Sequence, residues 1–405
     1  LPDVPGGHVH EPLTDALLDP ATYAGDLHGA LTPLRESAAL AWNATRGFWA
    51  VTRHAGVTEA SSDPGRFCSS RGILVDEIGT TYDHPPTMMH ADPPEHTRYR
   101  KLVRPGFTNA AVRGLEPLVR ERTERMLDRL VELARGGASV DVVAAFAVPL
   151  PIQLIALVLG LPEGDEARLH RWSDAAIPGA TDWSEEERTS LLTEMTVELL
   201  GLAAERRRSP ADDVVSMLAG YEEDGESLTD DELGMFLIQL LVAGNETTRH
   251  AISGGLVALA EHPEQLERLA ADPQLVPSAV EEVLRWTTPV TSFLRTATTD
   301  TDLDGVAVSA GDPLLLLYAS ANRDPLEHGP TAASFDVGRH PNHHVALGHG
   351  PHFCLGAALA RQELTVVLEG LVERFERLEV AGPVERTGSS VIAGIRAAPL
   401  RLATR

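Results

Sequence analysis

Apolar residues recur at Leu233, Phe236, Leu237, Leu240 and Leu241, the spacing of one helix face, within a stretch running from Thr229 to Glu261. Thr229 followed three residues later by Glu232 is a capping box, and His262-Pro263 stops the pattern. A helix of that length is about 50 Å long, enough to cross a whole domain. Its middle breaks the pattern, because Ala243-Gly244-Asn245-Glu246-Thr247-Thr248 sets a glycine, an acid and two threonines into an apolar run. A helical glycine costs about 1 kcal/mol and a buried carboxylate costs more, so the interruption points to chemistry. With no chemical task, Thr247 would simply bond back to the preceding turn.

Pro277 to Trp286 reads as a second helix, with Glu282 and Arg285 on one face. Asp92-Pro93-Pro94-Glu95 reads as the start of a third, with Asp92 as N-cap, Pro93 first and Glu95 third. His96 and Arg100, four apart, then point the same way. Strand-like runs occur at Phe48-Trp49-Ala50-Val51, Leu294-Arg295-Thr296-Ala297 and Pro313-Leu314-Leu315-Leu316-Leu317. Val142 to Leu161 is nearly all apolar, but Pro149, Pro151 and Gln153 break it and no basic flank follows. It reads as a strand-like piece followed by a buried helix, not as a membrane span. The fold expected is mainly α with small β-sheets.

The net charge of −25 over 405 residues excludes the basic face that nucleic acid would require. Lys101 is the only lysine; with Arg104 and Arg361 it forms a candidate local basic patch. Leu1-Pro2-Asp3-Val4-Pro5 has neither the charged nor the apolar region of a signal peptide, so a cytoplasmic protein free of membranes is expected. Only two cysteines are present, Cys68 and Cys354, which excludes a disulfide framework and a four-cysteine zinc site.

Cys354 lies in Leu347-Gly348-His349-Gly350-Pro351-His352-Phe353-Cys354-Leu355-Gly356, a Gly-rich loop leading into an apolar helical pattern from Ala357. At a helix N-terminus the dipole and free N–H groups favour a thiolate, and glycines let amides approach the sulfur. The loop resembles the haem-binding signature of the cytochrome P450 superfamily, matching at Gly348, Gly350, His352, Cys354 and Gly356. It departs at Leu347, where the family usually has Phe.

The resemblance implies the cytochrome P450 fold, one large domain over 1–405 with a long central helix over the haem. It covers the chain from about residue 40, with 1–40 as an N-terminal segment. Cys354 would ligate the iron of haem b (iron protoporphyrin IX). Gly348, Gly350 and Gly356 would shape the cofactor loop, and His96, Arg100, Arg295 and His352 would hold the propionates. In the long helix Gly244 would leave room for dioxygen, and Glu246 with Thr247, followed by Thr248, would supply it with protons. Glu282, Arg285 and Arg339 would form a buried structural network.

By position the substrate pocket would draw on Ile73, Leu74, Met88, Met89, Leu237, Leu240, Ala243, Val290, Phe293 and Ile392. These suit an apolar small molecule, of the sterol, terpenoid or polyketide kind that bacterial relatives oxidise. Gly72 and Pro85-Pro86 suggest a lid. The function implied is a haem-thiolate monooxygenase using dioxygen and electrons from a separate ferredoxin and ferredoxin reductase. Two alternatives stand beside it: a haem-thiolate enzyme using peroxide or needing no reductant, and a non-catalytic haem or ligand-binding protein.

Overall fold

The computed structural model describes residues 11–405 apart from 84–85, 162–163, 178–180, 182 and 212. Pro85 of the expected lid and the N-terminal pentapeptide therefore lie outside the described residues.

The long helix runs Asp230–Glu261 over 32 residues and starts as its sequence predicts. Thr229 Oγ1 accepts from Glu232 N at 3.2 Å, while Glu232 Oε2 accepts from Thr229 N at 2.8 Å. Its two halves enter different cores. Leu233, Phe236, Leu237 and Leu241 pack with Met88, Trp172, Leu199 and the helices Glu166–Ala176 and Glu185–Arg208. Ala251 to Leu259 pack instead with the helix Val276–Thr287 and the helix Ala357–Arg374 that follows the cysteine loop. Asn245, Glu246, Thr248, Arg249 and His250, all buried, fill the junction.

Three strand-like runs are strands: Phe48–Val51, Phe293–Ala297 and Pro313–Leu316. They form the centre of a five-stranded sheet, with Leu40–Asn43 at one edge and Phe67–Cys68 at the other. Phe48–Val51 pairs in parallel with Pro313–Leu316, the remaining neighbours antiparallel. A three-stranded sheet joins Ser139–Asp141, Pro399–Thr404 and Phe375–Val380. The apolar stretch from Val142 differs from expectation. Its strand ends at Asp141, Val143–Ala147 forms a π-helical turn, and Pro149–Val158 is a buried α-helix. The pairing with Pro399–Thr404 stops at Asp141, and the apolar run coils, which buries most of its side chains. No helix among the described residues is long and apolar enough to cross a membrane.

The third helix also starts later than its sequence suggests, at Glu95, and Asp92 caps nothing in it with its side chain. Its carboxylate accepts from Ser69 N at 2.8 Å and Ser70 N at 3.0 Å, tying this segment to a distant loop.

Glu363, on the helix Ala357–Arg374, is buried with no charged partner among the described residues, and burial pushes its carboxyl up to about 8. A carboxyl raised in the folded state contributes stability that is complete below its ordinary value and lost as pH climbs to about 8. Melting curves should show a decline of up to about 1.4 kcal/mol per pH unit in that window. Glu363→Gln should flatten it; an unchanged decline in the variant would assign the pH dependence elsewhere.

Candidate functional site

The loop before Ala357–Arg374 is shaped by the chain itself. Cys354 N donates to Leu347 O at 2.8 Å, so the residue that replaces the family's Phe closes the loop through its backbone. Gly350 has φ +69°, and an added Cβ would fall 2.4 Å from Ser61 O, so only glycine lets this loop lie against the helix His54–Ser62. The Gly356 N–H bonds the cysteine sulfur. Burial nevertheless pushes the Cys354 thiol above its ordinary value, outweighing the Gly356 N–H, Arg100 and Arg361, which pull it down. The Gly356 N–H acts toward thiolate, as expected of a helix N-terminus, but desolvation is the larger effect. A bound metal cation would reverse that balance.

Beside the sulfur, four basic groups from three segments converge. His96 and Arg100 lie on Glu95–Val103, Arg295 on the strand Phe293–Ala297 and His352 on the short turn Gly350–His352. The His96 and His352 rings lie 4.0 Å apart. Burial, Arg100 and Arg295 lower His96 to about 4. Burial, Arg295, His96 and Arg100 lower His352 to about 2. Among the described residues none of the four makes an ion pair, so the cluster fits an anionic group with more than one acidic arm.

On the long helix, half-buried Leu240, exposed Ala243 and half-buried Thr247 line up as one stripe. Thr247 Oγ1 donates to Ala243 O at 2.7 Å, the back-bond to the preceding turn. Gly244 does not open space on this stripe. A Cβ there would come 3.2 Å from Ile155 Cδ1, so the glycine admits the helix Pro149–Val158.

Glu246 is 1 % exposed; its Oε1 is hydrogen-bonded, while its Oε2 makes an ion pair without a hydrogen bond. Its Oε1 accepts from Ser173 Oγ and Asn245 Nδ2, both at 3.1 Å, and its Oε2 lies 2.7 Å from Arg249 Nη2. Arg249 Nη1 reaches Asp174 at 3.0 Å, and half-exposed His170 lies 3.6 Å from the same carboxylate. Burial raises Glu246, but Arg249 and His250 outweigh it and hold the carboxyl below its usual range. Asp174 moves up, by burial and by the Glu246 charge, against Arg249. His250 Nδ1 accepts from Ile395 N at 3.2 Å, and its Nε2 lies 3.2 Å from Arg249 Nη2 and 3.5 Å from Glu246 Oε2. His170, Asp174, Arg249 and His250 escape a reading of motifs. Arg249 and His250 stand three and four residues past Glu246 and were legible as helix neighbours; Asp174 is brought in by tertiary packing.

Glu282 is fully buried and accepts from Arg285 Nε at 2.7 Å, Arg285 Nη2 at 2.8 Å and Arg339 Nε at 3.0 Å. Asp336 N and Asn342 Nδ2 complete its shell. Of the expected pocket residues, Val290 and Ile392 form a β-bridge, and Ile73 O accepts from Leu294 N at 2.6 Å. Met88 N donates to Gln239 Oε1 at 3.0 Å, holding that segment to the long helix; Leu74 and Met89 flank these contacts, half-buried. Phe293 stacks edge-on to Tyr318, and Leu237 is wholly buried in the core described above. In the expected basic patch, Lys101 pairs with Glu223 and Asp224, and Arg361 with Glu281 at 2.7 Å; Arg104 alone is exposed and unpaired among the described residues. Paired cations attract a partner less than isolated ones.

Residues 141–387 match the family model described as cytochrome P450. The chain is 36 % identical to the methyl-branched lipid omega-hydroxylase of Mycobacterium tuberculosis, over 92 % of this chain and 90 % of that one. The chain belongs to the cytochrome P450 family. The crystal structure of CYP108D1 from Novosphingobium aromaticivorans superposes with a TM-score of 0.88 at 32 % identity, covering 98 % of this chain and 99 % of that one. Mycobacterium marinum CYP268A2, solved with pseudoionone, gives a TM-score of 0.85 at 33 % identity, covering 94 % and 96 %. The mainly α fold with small sheets and a long helix is that of the family, whose members bind haem and act as oxidoreductases.

Proposed function

We propose that this cytochrome P450 is a haem-thiolate monooxygenase that transfers one atom of dioxygen to an apolar substrate of moderate size. One observation carries the reading: Cys354, receiving an amide N–H, stands beside four cationic or N–H-bearing side chains that no carboxylate among the described residues pairs. A haem b of this kind needs a thiolate for its iron and cationic or N–H partners for its two propionates, and these residues suit both. Cys354 would provide the sulfur that holds the iron, while His96, Arg100, Arg295 and His352 would hold the propionates. When bound, the haem supplies dioxygen activation and oxygen transfer.

Thr247, on the stripe it shares with Leu240 and Ala243, presents its hydroxyl to the reacting side. Its proton rests on Ala243 O, and the same hydroxyl can accept a hydrogen bond from water or donate to dioxygen after rotation. Glu246 next to it is joined through Arg249 to Asp174 and half-exposed His170, a run of titratable groups leading out of the interior. Ile73, Met88, Val290, Phe293 and Ile392 give the substrate an apolar surround. The similarity to a lipid hydroxylase and to a relative holding pseudoionone supports an apolar substrate. Electrons come from a separate ferredoxin and its reductase in a cytoplasmic setting, by analogy with bacterial members.

Purified protein supplied with a bacterial ferredoxin, its reductase and NADPH should form product only with dioxygen present. Thr247→Ala should lower product per electron by about tenfold or more and release hydrogen peroxide instead. Equal turnover with peroxide alone and unchanged coupling in the variant would favour the peroxide-using reading. Ligand binding without any product would favour the non-catalytic one.

A further inference from the structure

The long helix carries a second, separate feature further along the face that bears Thr247. From His250 to Glu261 this face walls a cavity of about 320 Å³. The other walls are the end of the helix Val276–Thr287 at Trp286, the start of the helix Leu27–Ser37 at His28, and the two-stranded sheet holding Arg386. A volume of this order suits a small organic molecule. Gly254, one of its wall residues, stands seven positions past Thr247, about 10 Å along the helix axis.

The cationic groups of this cavity have little to hold them. Arg323 is 8 % exposed, and its guanidinium lies over the Trp286 ring, 3.3 Å from the centroid. It donates once, from Nη2 to Trp286 O, while its Nε is buried without a partner. No carboxylate pairs with it among the described residues. Burial and the charge of Arg285 bring it down to about 9. His28 Nδ1 is likewise buried without a partner. Burial, Arg323, Arg35, Arg386 and Arg285 all act to lower its pKa. Arg386 is exposed at the mouth and makes no ion pair among the described residues. Two acids also border the space. Asp26 is committed to the Gly29 amide at 2.8 Å, and Glu261 is exposed to solvent. A buried guanidinium without a counter-charge is costly, and a flat one with free N–H groups matches a carboxylate. Leu27, Val257, Ala258 and Ile395 make the rest of the wall apolar.

We propose that this cavity binds an organic carboxylate with a short apolar body, its anionic end held by Arg323 and Arg386. The site lies apart from Cys354 and the four propionate-side groups, so its occupancy does not depend on the catalytic reading. His250 is the one residue common to its wall and the Glu246 network.

The probe is octanoate, titrated by calorimetry into the haem-loaded protein with imidazole capping the iron, with octanol as the uncharged control. Octanoate should bind one to one, octanol at least about tenfold more weakly, and the Soret band should not move. Arg386→Glu, an exposed change that leaves folding and turnover intact, should weaken octanoate at least about tenfold. Arg323→Gln should abolish binding, and if that variant fails to fold, Arg386→Glu decides alone. Absence of octanoate binding would overturn the proposal. So would binding that Arg386→Glu leaves within twofold, since the molecule would then sit elsewhere.

Discussion

Glu282→Ala should destabilise the fold by about 3–5 kcal/mol, the cost of leaving buried cations without their counter-charge. Two guanidiniums depend on this carboxylate, Arg285 with no exposed surface and Arg339 with 8 %. Arg285 is further fixed by Asn322 O at 2.7 Å and Ala332 O at 2.8 Å, so it cannot swing out to water. A domain holds only about 5–15 kcal/mol in total, and the variant should lose much of its denaturation midpoint or fail to accumulate. The adjacent acid gives the contrast. Glu281 is partly exposed and pairs with partly exposed Arg361 and with the buried side chain of His344. Glu281→Gln should cost about 1 kcal/mol or less. Chemical denaturation of the two variants side by side measures the difference; equal losses would mean the buried network is not structural.

Cys354→Ser should remove the strongly red-shifted Soret band of the ferrous carbon monoxide complex and reduce product formation to background. The hydroxyl keeps the size of the side chain, and the loop is closed by the Cys354 N to Leu347 O bond, which serine retains. Loss of the band with an unchanged melting temperature therefore isolates the ligand from the fold. The wild-type spectrum is informative by itself. Burial pushes this thiol up, so thiolate persists only where the iron charge overcomes desolvation. A wild-type band at the position of histidine-ligated haem would show that it does not, and would remove the basis for the monooxygenase proposal.

Much of this was legible before the structure. The capping box at Thr229, the stop at His262-Pro263 and the helix from Ala357 are local signals, and local hydrogen bonding decides them. Five positions around Cys354 identified the family, and Glu282 with Arg285 was readable as a helix pair. What sequence could not resolve depends on neighbours distant in the chain. Asp92 has the residue type of an N-cap but finds the Ser69 and Ser70 amides instead. Gly244 faces Ile155 because another helix approaches there. Lys101 and Arg361 are neutralised by acids far away in sequence. The Arg323 cavity draws on segments near residues 28, 254, 286, 323 and 386, none with a motif of its own.

The long helix belongs to two cores, Leu233–Leu241 to one and Ala251–Leu259 to the other, with the polar junction between. For anyone redirecting this protein to a new compound, that division sets the ground rules. Apart from His170, Ser173 and Asp174, which belong to the Glu246 and Arg249 network, the layer built from Glu166–Ala176 and Glu185–Arg208 can be randomised while the cysteine helix keeps most of its own packing. Selectivity can thus be evolved on one half of the molecule at little cost to the half that carries Cys354. Where the two meet, at Glu246 and Arg249, the alphabet should be left alone.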